Sequence, residues 1–222
     1  MKLGDRIDTL SETLQHTSEW ATKLEKDGIS LRFLNDVQDD TDKFSGLTDP
    51  AQLDDVLTNI SFRGGTKLGT VLRKKVVQPL AEKAMKTDGR VKPRIIMIIT
   101  DGKVRFPNTY IAAHLMTGNS QPQGEYENCL RDVILHSKTG EGLGSRFGQA
   151  ATVFLLTIVG NDDEAREFVS KLKRDKDLKN MVYTLTDPLN KVMDLLSQEP
   201  DDVGYKVYVS DLMKSLVTFG SF

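Results

Sequence analysis

The feature that most constrains this chain is the run Ile95-Ile96-Met97-Ile98-Ile99, closed by Thr100-Asp101-Gly102. Consecutive apolar residues leave no polar face for solvent. A strand of this kind is buried on both sides, as at the centre of a parallel sheet. Thr152 to Val159 is a second such run, closed by Gly160-Asn161, and Met181 to Thr186 reads as a further strand. Between them, apolar residues recur at spacings of three and four, the period of an amphipathic helix. Strands alternating with helices imply an α/β fold with a mostly parallel sheet and helices on both faces. In such folds the ligand crevice lies at the C-terminal ends of the strands, which is where Asp101 stands.

Helix starts and stops are legible along the chain. Residues 5 to 26 place Ile7, Leu10, Leu14, Ala21 and Leu24 on one face, and Asp27-Gly28 ends the pattern because Gly accepts the left-handed conformation. Ile29 to Leu34 reads as a strand and the acidic stretch Val37 to Lys43 as a loop. Asp49-Pro50 and Asp187-Pro188 are helix starts: Asp caps, and Pro suits the first helical position, where its missing N–H is not needed. Leu53, Val56, Leu57 and Ile60 follow the first; Leu189, Val192, Met193 and Leu196 follow the second. A helix with Leu68, Val71, Leu72, Val76 and Leu80 contains Pro79, which predicts a kink or break. Asp162 opens a helix with Ala165, Phe168, Val169 and Leu172 inward. Tyr126 to Ile134 reads as another helix, residues 103 to 124 as a long loop, and Gly140, Gly142 and Gly144 as a flexible connection. The organisation expected is one domain over 1–197 and a docked tail over 198–222.

Composition excludes several classes. The 222 residues carry 30 Lys+Arg against 32 Asp+Glu, a net charge of −2, which argues against broad nucleic-acid binding. No apolar run approaches the roughly 20 residues that span a bilayer. The lone Cys129 makes no internal disulfide and no Cys-based zinc knuckle within one chain. With no signal-peptide pattern at the N-terminus, a cytoplasmic location is the expectation. His16, His114 and His136 show no metal-ligand spacing, and no G-x-S-x-G elbow is present. Asp39-Asp40-x-Asp42 lacks the Gly and terminal Glu of a calcium loop.

Phe62-Arg63-Gly64-Gly65-Thr66-Lys67-Leu68-Gly69, followed by Ile95 to Gly102, resembles the von Willebrand factor type A domain. Asp27-Gly28-Ile29-Ser30-Leu31-Arg32-Phe33-Leu34-Asn35 is similar to a branch of that family common in fungi, and Phe154 to Asp162 fits the same pattern. The resemblance covers about residues 1 to 197. It implies a Rossmann-like three-layer sandwich and a non-enzymatic protein-interaction module with a metal-ion-dependent adhesion site. In the family a Mg²⁺ ion is held by a D-x-S-x-S loop after the first strand, a Thr in a later loop and the Asp of T-D-G. A carboxylate of a protein partner often completes its shell. By resemblance, Thr66 and Asp101 match the Thr and Asp positions, and Gly64, Gly65, Lys67, Gly102 and Lys103 line the partner crevice.

The chain departs from the family at its start. The first strand and the D-x-S-x-S loop have no counterpart, and Met1-Lys2-Leu3-Gly4-Asp5-Arg6 reads like the segment that follows that loop. The expectation is that Met1 corresponds to an internal Met of the family pattern. Thr66 and Asp101 alone should bind Mg²⁺ weakly, in the millimolar range, about −4 kcal/mol. Lys67, Lys103 and Arg105 oppose a cation if they turn into the crevice. Without a metal, Thr66 is a helix cap and Asp101 the cap of a turn. A different class is also compatible with the residues: an α/β enzyme or binding protein for a phosphorylated small molecule. The Gly65-Thr66 helix start would then hold phosphate, with Lys67 and Lys103 as counter-charges and Asp101 as acid/base. The spacing fails the G-x-x-x-x-G-K-[ST] phosphate loop.

Overall fold

A computed structural model describes residues 6–24, 26–34, 44–60, 68–86, 94–101, 134, 152–178, 181–185, 187–196 and 203–219. The chain is a mixed α/β protein built on a parallel sheet. The strands β1 (Arg94–Thr100), β2 (Thr152–Ile158) and β3 (Val182–Thr184) lie in that order. Ile98 of β1 stands opposite Leu156 of β2, and Leu156 opposite Thr184 of β3. Every residue of β2 is buried, as its continuous apolar run requires.

Alternation along β2 divides the core. Phe154, Leu156 and Ile158 join a cluster with Ala165, Phe168, Val169 and Leu172. Those four come from the inward face of a helix over Asp163–Arg174. Val153, Leu155 and Val159 join a second cluster with Leu189, Val209, Leu212, Met213 and Leu216. Its helices span Leu189–Leu196 and Val203–Phe219. The last of these helices contributes a buried apolar stripe, Val209, Leu212, Met213 and Leu216, to the cluster. A third cluster unites Leu10 and Leu14, from a helix over Arg6–Leu24, with Phe44, Leu47, Leu53, Val56 and Leu57. Ile99 touches both the second and third clusters and so links the sheet to this part.

Labelled in chain order, the helices whose bounds fall among the described residues are α1 (Arg6–Leu24), α2 (Pro50–Asn59), α3 (Leu68–Leu72), α4 (Gln78–Lys86), α5 (Asp163–Arg174), α6 (Leu189–Leu196) and α7 (Val203–Phe219). Helix α1 packs against α2, α6 and α7. Among the described residues, no helix is long and apolar enough to cross a membrane.

Two sequence expectations are corrected. The run Ile95 to Ile99 is not buried throughout: β1 lies at one end of the sheet formed by the described strands, and only Ile98 of the five is buried. Ile29 to Leu34 is not a regular strand: Ile29 forms an isolated antiparallel bridge with Leu47, and Leu31 N–H donates to the Phe44 carbonyl. Near Pro79, where the sequence predicts a kink or break, the helix leaves the α form without ending. A π turn over Arg73–Val77 joins α3 to α4, with the Gln78 N–H donating to the Arg73 carbonyl. The wider turn absorbs a proline that lacks an N–H and crowds the preceding turn. Of the helix read over Tyr126 to Ile134, Ile134 is helical and buried. The loop readings over 37–43, 103–124 and 140–144 lie outside the described residues.

Candidate functional site

The ends of β1 and β2 are tied together at the C-terminal end of the sheet, the side on which parallel folds carry their ligand crevice. The Val159 N–H donates to the Thr100 carbonyl at 2.9 Å. Asp101 follows that bond on one side and Gly160 on the other. Gly160 has φ +99°, a conformation that L side chains rarely adopt. Its N–H donates at 2.7 Å to Asn190 Oδ1 near the start of α6. A glycine here serves a sharp exit from β2 and leaves bare backbone at the crevice.

Arg6, at the start of α1, fills the space this backbone leaves. A Cβ added to Gly160 would stand 2.5 Å from Arg6 Nε, 2.6 Å from Cζ and 2.7 Å from Nη2. The guanidinium therefore lies against Gly160. Its Nη1 is 3.7 Å from Asp101 Oδ2, with the two side chains only 16% and 18% exposed. Charge-assisted hydrogen bonds between such groups run to about 2.7–2.9 Å. The Arg6–Asp101 contact is a Coulombic pairing rather than a bidentate fork.

Of the residues expected at the site, Asp101 falls among those described, and it stands at the C-terminal end of β1 as the run of apolar residues implied. Thr66, Gly64, Gly65, Lys67, Gly102 and Lys103 lie outside the described residues. Arg6 was missed as a site residue. One signal was present: a cation at the first turn of a helix opposes the positive end of the helix dipole, so its placement calls for another partner.

Beside Asp101 the described residues place a guanidinium, which is not a Mg²⁺ ligand. Mg²⁺ requires oxygen ligands in near-octahedral geometry. A guanidinium offers donors only and repels a second cation. Among the described residues, no group of three or more His, Cys, Asp or Glu is placed to hold a metal ion. What the arrangement does offer is a carboxylate and a guanidinium side by side at the C-terminal end of β1. Comparison with protein-family models, curated proteins and solved structures finds no match to this chain.

Proposed function

We propose that the chain is a non-enzymatic protein-interaction module of the von Willebrand factor A type, acting through the crevice at the C-terminal ends of β1 and β2. The observation that carries this reading is the placement of Asp101 at the end of a parallel strand, beside the exit of β2 at Gly160. The motif order along the chain supports it further. So does a core divided between the two faces of β2, the arrangement that a three-layer sandwich needs.

Thr66 and Asp101 are the proposed family site positions, with Gly64, Gly65, Lys67, Gly102 and Lys103 around them. Any Mg²⁺ held by such a pair is weak, and the guanidinium beside Asp101 weakens it further. The contact to a protein partner, through a carboxylate or the crevice rim, is therefore proposed without a metal step. Nucleic acid and membrane are not the proposed partners, and the proposed location is cytoplasmic.

The test is capture by the immobilised chain from one extract, compared with capture by a Thr66→Ala, Asp101→Ala double variant of equal thermal stability. Proteins retained by the wild type and lost from the variant are the expected result. Retention that does not differ between the two overturns the crevice as the interaction site.

A further inference from the structure

We infer that Arg6 is a resident cation of this crevice: its guanidinium sets a positive charge against Asp101 where the family pattern sets a divalent metal. The inference rests on the crevice reading above and assigns its electrostatics to a residue outside the family's site pattern. Three observations converge. The guanidinium is largely removed from solvent and stands 3.7 Å from the Asp101 carboxylate. It lies against Gly160, a position where any side chain would collide with it. Gly160 is itself fixed, by Asn190 and by the Val159–Thr100 bond that joins the two strand ends. Among the described residues, Asp101 is the one ion-pair partner of Arg6.

The consequence is a site closed to dications by its own chain. A metal approaching Asp101 meets a positive charge within about 4 Å, and repulsion at that range is substantial even near a protein surface. Octahedral oxygen coordination also needs the volume that the guanidinium fills. Removing the charge while keeping Asp101 should therefore ease the approach of a metal to the carboxylate.

The probe is Mn²⁺, which takes the same oxygen ligands as Mg²⁺ and is read through water-proton relaxation. The full 222-residue chain is titrated as wild type, Arg6→Ala, Arg6→Lys, and Arg6→Ala combined with Asp101→Asn. Wild type and Arg6→Lys should bind weakly and alike. Arg6→Ala should bind at least about tenfold tighter, a partly solvent-screened share of the Coulomb repulsion removed. The double variant should lose that gain. Equal affinity of wild type and Arg6→Ala overturns the inference, as does a gain that survives Asp101→Asn.

If Arg6→Ala does not fold, Arg6→Gln takes its place in the same comparison. A measurement on the wild type needs no variant at that position: the Arg6 Nε–H should exchange slowly in a nitrogen-15 spectrum. Exchange as fast as that of free arginine overturns the inference on its own. The capture experiment separates this failure from the wider one. Capture that depends on Asp101, with Mn²⁺ affinity indifferent to Arg6, removes only the role of Arg6. Capture indifferent to Asp101 removes the crevice reading, whatever the metal titration shows.

Discussion

Two glycines with positive φ show how differently one substitution acts at two places. Gly28 has φ +70°, and a Cβ there would stand 2.5 Å from the Leu47 carbonyl oxygen. That oxygen is held by the Ile29 N–H in the two-way bridge between Ile29 and Leu47, so it has no room to retreat. Gly160 has φ +99°, but the atoms its Cβ would meet belong to the end of a long side chain. Both Gly→Ala changes carry backbone strain; only the first also drives the Cβ into fixed backbone. Gly28→Ala is expected to destabilise by at least about 2 kcal/mol and Gly160→Ala by about 1–2 kcal/mol, read from chemical denaturation. A double-mutant cycle sharpens the point. In an Arg6→Ala background the steric part of the Gly160→Ala penalty should vanish, leaving only the backbone part. Equal penalties in both backgrounds would show that the guanidinium does not rest on Gly160 in solution.

Helix α5 is specified by residues within its own span, which is why it was legible in the sequence. The Asp162 side chain accepts hydrogen bonds from Glu164 N–H at 3.0 Å and Ala165 N–H at 3.2 Å. Asp163 and Glu164 occupy the first turn, while Lys171, Lys173 and Arg174 occupy the last, each sign matching the helix dipole. Asp162→Ala should lower the melting temperature by about 2–4 °C, whereas Asp162→Asn should leave it nearly unchanged, since Asn caps as well as Asp. Asp49 works in the same local way, with its carboxylate accepting from Ala51 N–H and Gln52 Oε1 accepting from Asp49 N–H. Strand β2 was legible for a related reason: an apolar run such as Val153 to Leu156 states its burial without naming a partner. The run Ile95 to Ile99 announced a strand but not its surroundings, since only Ile98 of the five is buried. What depends on a distant partner was not legible. Ile29 to Leu34 has strand-like residues, yet its pairing is decided by Phe44 and Leu47 and amounts to one bridge. The π turn before Pro79 depends on how two helical segments settle around one ring. The Arg6–Asp101 pair needs the start of α1 to arrive at the end of β1, and no local spacing encodes that.

At the scale of the molecule, the tail and the sheet are joined through one cluster, and a titratable group sits at that seam. Helix α7 buries Val209, Leu212, Met213 and Leu216 against the face of β2 that carries Val153 and Leu155. Tyr208 and Tyr183 pack at the margin of this cluster. The pKa of Tyr208 is raised above its usual value of 10.0, first by burial, then by the neighbouring Tyr183 and Asp187. A phenol whose pKa is higher folded than unfolded keeps its proton longer in the native state. The native state then binds more protons than the unfolded one once pH passes the unfolded value, so stability falls as pH rises from there. Below about pH 10 this group makes no pH-dependent demand; above it, the tail's attachment to the sheet is weakened. Tyr208→Phe removes the titrating oxygen and keeps the ring. The wild type should lose stability between neutral pH and pH 11 by more than the Tyr208→Phe variant does, as measured by denaturant titration at both pH values. Parallel losses in the two proteins would mean that Tyr208 is solvated in the native state and that the α7 seam does not exclude water at its hydroxyl.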